Sequence, residues 1–119
     1  MNRRTQPLLQ WQRSLYEHNH QTRANLLVHA VTNPLFLLGN LLLLHACSAG
    51  LASAVTGVVL SVAAIAAQGR THASERNAPV PFDGPLDAIA RIFAEQWITF
   101  PRFVFDGGFS RAWSATAAV

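Results

Sequence analysis

Five histidines, His18, His20, His29, His45 and His72, carry most of the chemistry this sequence can offer. Imidazole nitrogen is a ligand for iron, zinc, copper and nickel. His29 lies within Leu26-Leu27-Val28-His29-Ala30-Val31, where an ionisable group without a partner is costly. It requires a backbone carbonyl, Asn25 or a metal ion. His72 and Glu75 stand at i and i+3, so one helical turn puts a nitrogen and a carboxylate on the same face. A third imidazole comes from upstream. On one unbroken helix His18 shares a face with His29 and His20 points away; a break at Gln21-Thr22 readmits His20. His45 and Cys47 read as interfacial residues at the far end of the chain's apolar stretch. A single cysteine excludes an internal disulfide framework and a multi-cysteine zinc module.

The elements that position these groups follow from the charges. From Ala24 to Gly69 the chain has no Asp, Glu, Lys or Arg. As one helix this stretch is about 70 Å long. A bilayer core is about 30 Å thick, so two passes and a turn fit better than one pass. Ala46-Cys47-Ser48-Ala49-Gly50 supplies the turn, giving helices over 23–45 and 51–68. Gly39, Gly57, Ser53 and Ser61 are small enough to let the two helices approach closely. Arg3, Arg4, Arg13 and Arg23 precede the hairpin and Arg70 and Arg76 follow it, while the turn has none. The positive-inside rule then places both termini on the cytoplasmic side. An antiparallel hairpin returns the chain to the face where it entered, so the upstream histidines, His29, His72 and Glu75 converge there.

The flanks are helical too. Residues 7–19 form an amphipathic helix carrying Trp11 and Tyr16, with Thr22 as the N-cap of the next helix and Pro34 expected to kink or restart it. Residues 69–84 read as a polar loop, interrupted by Pro79 and Pro81. Pro85 opens a last amphipathic helix over 85–100, with Leu86, Ile89, Phe93, Trp97 and Phe100 on one face. Pro101 limits it, Gly107-Gly108 breaks the chain again, and the tail after Trp113 is expected to fray. The chain is thus a single all-α domain over 1–119, a two-helix transmembrane hairpin with flanking helices. The net charge of +3 is small and dispersed, which argues against nucleic acid as a partner. There is no Gly-rich phosphate loop, nucleophile elbow or internal repeat. Two membrane helices bury little by themselves, so a homodimer is expected.

Three strings carry a resemblance. Tyr16-Glu17-His18-Asn19-His20-Gln21-Thr22-Arg23-Ala24-Asn25 through His29, with Asn33-Pro34-Leu35, resembles the DUF962 family, typified by membrane-bound 2-hydroxy-fatty-acid dioxygenases. Gln68-Gly69-Arg70-Thr71-His72-Ala73-Ser74-Glu75, with Pro79, is similar to its downstream block, and Arg91 to Val104 to the ending of its short bacterial members. The resemblance implies a helix restart at Thr22 and hence His20 over His18. It implies a non-haem Fe(II) enzyme of a bacterial inner membrane that shortens 2-hydroxy fatty acids by one carbon with dioxygen. His20, His29 and His72 would hold the metal, with Glu75 as fourth ligand or as a partner behind the ligands. Asn25 would orient His29 or a water, and Arg70 or Arg76 would hold the substrate carboxylate. The acyl tail would lie between the hairpin and the helix of Phe93 and Trp97. The opposing expectation is a membrane hairpin that serves as a scaffold or assembly protein, with structural histidines and no metal.

Overall fold

Hydrogen bonds to Glu75, just past the hairpin, fix the break between the first two helices. The computed structural model describes residues 4–117; Arg3 lies outside the described residues. Helix α1 spans Leu8–Asn19 and α2 spans Arg23–Ala49. Between them, the backbone N–H groups of Gln21 and Thr22 both donate to the Glu75 carboxylate, at 3.0 and 3.1 Å. Thr22 caps α2, its Oγ1 accepting from the Asn25 N–H at 3.3 Å. A carboxylate at this helix start also complements the helix dipole.

Helix α3 spans Leu51–His72. Both hairpin helices run further than the sequence suggests. Only Gly50, with φ of 84°, interrupts them, so the five-residue turn expected at 46–50 is one residue of left-handed backbone. Pro34 does not restart α2, which is assigned continuously as helix through it. The polar loop expected from residue 69 begins instead after His72. Hydropathy fades at Ala67, but the buried face continues in polar residues. Gln68 donates to Thr32 Oγ1 at 2.9 Å and Thr71 to Asn25 Oδ1 at 2.7 Å. These bonds to α2 hold the last turn of α3 as helix.

Gly39 and Gly57 set the helix crossing. A Cβ on Gly57 would stand 2.6 Å from the Gly39 carbonyl oxygen, and one on Gly39 would stand 2.6 Å from Ser61 Oγ. Ser53 donates to the Leu42 carbonyl at 2.7 Å and Asn40 to Ser61 at 3.1 Å. The small residues named from sequence therefore sit at the contact.

Helix α4 spans Pro85–Ala94, a π-helical turn spans Glu95–Thr99, α5 spans Phe100–Phe105 and α6 spans Gly108–Ala117. Pro101 does not stop this run. It lacks the N–H that the Trp97 carbonyl would take in a regular α-helix, and the wider π turn relieves the clash of its ring. The expected frayed tail is helical as far as Ala117, with Thr116 Oγ1 accepting from Arg23 Nε at 3.0 Å. Tyr16, Leu26, Phe100, Phe103 and Ala112 form the hydrophobic core at the open end of the hairpin. Leu44, Leu51, Val59 and Val62, nearer the hairpin tip, are exposed. Among the described residues there is no strand.

Candidate metal centre

Four side chains converge where α1, α2, α3 and the π turn meet. His20, His29, His72 and Glu95 each offer a ligand atom, and these atoms lie within 4.8 Å of one another. His20 and His29 are buried, and His72 and Glu95 partly so.

The tautomers of two of them are dictated by their neighbours. His20 Nδ1 donates to the Tyr16 carbonyl at 2.7 Å, and His29 Nδ1 donates to the Asn25 carbonyl at 3.0 Å. A carbonyl only accepts, so in both neutral rings Nε2 carries the lone pair. These two Nε2 atoms are 3.4 Å apart, and the Glu95 carboxylate is 3.5 Å from His29 Nε2. Two buried lone pairs and a carboxylate at this range repel unless a positive centre lies among them. That centre is a proton or a metal cation. Three imidazoles and a carboxylate form a donor set that iron, zinc and manganese accept.

The converging side chains are held from behind. Tyr16 stacks on His20 with ring centroids 3.9 Å apart and donates its hydroxyl to Glu95 Oε1 at 2.9 Å. Burial, with Glu95 beside it, holds this phenol well above its ordinary range. Burial and the neighbouring imidazoles push His20 down to about 3, so it is neutral and ready to ligate. Burial works to raise the Glu95 carboxyl. Where a proton is the positive centre, the hydrogen bond from His29 Nε2 and the nearby imidazoles outweigh burial and hold Glu95 at about 2, as a carboxylate.

Each residue singled out from sequence has a definite place. His20 is buried at the cluster and His18 is exposed at the surface, because the chain turns at His20. Asn25 is fully buried, but its side chain does not reach His29. It donates to His72 Nδ1 at 3.3 Å and to Glu75 Oε1 at 3.0 Å, and only its backbone carbonyl meets His29. Glu75 stands outside the converging group. Its oxygens are taken up by Gln21, Thr22 and Asn25, which hold its carboxyl below the usual range against the effect of burial. It reaches His72 only through Asn25. Arg70 and Arg76 are exposed, and Arg76 lines a polar basin of about 490 Å³ together with His20, Arg23 and Arg111.

Glu95 was missed from sequence. On the amphipathic pattern it reads as an ordinary solvated acid beside the apolar face. The available signal was Ile92, Glu95, Gln96 and Thr99, a second stripe at helical spacing.

Neighbouring cavities share walls from the cluster outward. A small one of about 60 Å³ is bordered by Tyr16, His20, His72 and Glu95. It shares Gln12, His72, Pro79, Arg91 and Glu95 with a second of about 390 Å³. That one shares Ile65 and Ile92 with an apolar groove of about 800 Å³ between the hairpin and Phe93 and Trp97.

No family model, curated protein or solved structure matches the chain.

Proposed function

We propose that this chain is a two-pass membrane protein that holds Fe(II) on His20, His29, His72 and Glu95 and oxidises a 2-hydroxy fatty acid with dioxygen, shortening it by one carbon. The observation that carries the reading is the convergence of three imidazoles and a carboxylate beside a run of cavities that ends in an apolar groove.

The membrane setting rests on length and exposure. Helices α2 and α3 have 27 and 22 residues, enough to cross a hydrocarbon core of about 30 Å. The core helix of a soluble protein is mostly buried. Here Leu27, Val31, Leu41, Val55, Val58 and Val62 all face outward, as lipid contact requires. The arginines at the open end support a site at the cytoplasmic interface, with both termini on that side.

A bound Fe(II) supplies the electron transfer that dioxygen needs at the bond between the carboxyl and hydroxyl-bearing carbons. The protein's own groups do the rest. Nδ1–H bonds to backbone carbonyls fix the orientation of His20 and His29. The Tyr16 hydroxyl fixes Glu95. Asn25, tied to Thr71 and Glu75, stands against the His72 ring and limits where it can lie. The groove receives the acyl tail between Phe36, Leu43 and Ile65 on the hairpin and Ile92, Phe93 and Trp97 opposite. Trp97 Nε1 donates to Asn40 Oδ1 at 3.1 Å, which satisfies a polar group at the groove wall.

The test is elemental analysis of detergent-purified protein beside the His29→Ala and Glu95→Ala variants, followed by oxygen uptake with 2-hydroxy fatty acids. Near-stoichiometric iron in the wild type only, with substrate-dependent uptake, is the expected result. Stoichiometric zinc with no uptake overturns the oxygenase reading. No metal after anaerobic iron reconstitution leaves a hairpin scaffold with structural histidines. Recovery in the soluble fraction without detergent overturns the membrane assignment.

A further inference from the structure

Arg91 is the one residue among those described with a buried side-chain polar atom that lacks a partner. Its side chain is only about one-tenth exposed. Nη1 donates to the Pro81 carbonyl at 3.0 Å and Nη2 to the Val80 carbonyl at 2.7 Å, while Nε, fully enclosed, has no acceptor. The guanidinium carbon lies over two rings, 5.0 Å from the centre of Trp11 and 4.5 Å from that of Phe82. Asp87 is its nearest acid at 3.4 Å, and Asp87 is shared with Arg4, which it meets at 2.7 Å. One carboxylate therefore serves two guanidiniums, and positive charge is left over.

The position of Arg91 gives this surplus a use. It lines both the small cavity at the metal centre and the larger one beyond it, together with His72 and Glu95. Neither Arg70 nor Arg76 borders these two cavities. Both are exposed, where water screens their charge. An anion in either cavity would offset the surplus charge where water screens it poorly. Guanidinium matches carboxylate by shape and charge.

We propose that Arg91 is the carboxylate-binding residue for the substrate, gripping the acid group at the cavity beside His72 and Glu95 while the chain extends past Ile65 and Ile92 into the apolar groove. This rests on the reading of the site as one that takes a long-chain hydroxy acid. It adds that the charged end is recognised by a residue of α4. The two rings and the carbonyls of Val80 and Pro81 keep the guanidinium rigid before the ligand arrives, so little side-chain freedom is lost on binding.

The experiment compares two probes of one chain length, 2-hydroxypalmitate and the corresponding neutral 1,2-diol. Binding is measured to the full-length protein in lipid nanodiscs, as purified and after chelation, for wild type, Arg91→Gln, Arg91→Lys and the exposed control Arg102→Gln. Taking the ratio of the two affinities within each nanodisc preparation cancels partition into lipid. Wild type should prefer the acid. Arg91→Gln should weaken the acid by about tenfold or more, the scale of one charge-assisted hydrogen bond, and leave the diol within about twofold. Arg91→Lys should keep part of the preference, and Arg102→Gln all of it. Equal loss of both probes in Arg91→Gln would assign Arg91 to anchoring the segment around Val80 and overturn the proposal. So would an unchanged ratio, or a wild type without preference for the acid. Metal content is measured on the same samples. A protein that binds no metal yet discriminates through Arg91 removes the oxygenase reading and keeps this one.

Discussion

Gln68 and Gln96 form a reciprocal amide pair: Gln96 Nε2 donates to Gln68 Oε1 at 2.6 Å, and Gln68 Nε2 donates back to Gln96 Oε1 at 3.2 Å. Both side chains are buried. Asn33 Nδ2 adds a bond of 2.7 Å to the Gln96 carbonyl, inside the π-helical turn. The pair thus clasps α3 to the turn that carries Glu95. Replacing Gln96 with Leu leaves the Gln68 amide short of a partner inside the protein. The expected cost is about 1–3 kcal/mol, seen as a lower unfolding temperature in detergent. Gln68→Leu should cost a similar amount. The double variant should lose clearly less than the sum, because it leaves neither amide behind. Strict additivity would mean the pair is not coupled.

Glu95 and Glu75 give the sharpest contrast at the site. Glu95→Ala removes a group of the converging set, and metal should no longer be retained through gel filtration. Glu75→Ala removes a carboxylate that holds Gln21, Thr22 and Asn25. It should keep one metal per chain but bind it about 10–100-fold more weakly, as for other residues that support ligands from behind. Metal titration of both variants against wild type checks this. Retention in Glu95→Ala with complete loss in Glu75→Ala would reverse the two roles.

Much of this arrangement was readable from the chain, for reasons that are local. The charge gap and its flanking arginines mark the hairpin, and Thr22 three residues before Asn25 marks the cap. His29 in an apolar run marks a buried ring that needs a partner. What escaped reading depends on tertiary contacts. The last turn of α3 is held by Gln68 and Thr71 bonding to α2, which no hydropathy pattern records. Glu95 reads as a solvated acid until its contacts with Tyr16 and His29 are seen. Arg91 likewise reads as a solvated helix charge until Trp11 and Phe82 are seen to enclose it.

The helix crossing should tolerate almost no added volume. A Cβ at Gly57 would stand 2.6 Å from the Gly39 carbonyl oxygen and 3.0 Å from the Leu43 backbone nitrogen. Backbone cannot rotate away as a side chain can, so the helices must separate. Gly57→Ala should cost about 1–3 kcal/mol, the usual range for overpacking, and Gly57→Leu more. Gly69→Ala, where the new Cβ meets nothing within 4 Å, is the control. Equal thermal stability of Gly57→Ala and Gly69→Ala would show that the hairpin is looser than this packing.

Acid should unlatch the C-terminal helix from α1. Arg13 grips Asp106 with two hydrogen bonds of 2.8 Å each, and the Gly108 N–H adds a third to the same carboxylate at 3.0 Å. The Arg13 hydrogen bond, with the others, pulls the Asp106 carboxyl down to about 2 from its ordinary 3.8. The folded state therefore binds this proton less readily than the unfolded chain does. Its stabilising contribution is complete above pH 3.8 and is lost as the pH falls through about 2. Asp106→Asn has no carboxylate to protonate. Stability measured against pH should show wild type above the variant near neutrality, with the gap closing between about pH 4 and pH 2. Other carboxylates, Glu75 among them, contribute equally to both proteins and cancel in the difference. Parallel curves across that window would mean that the Arg13–Asp106 contact contributes nothing to the fold.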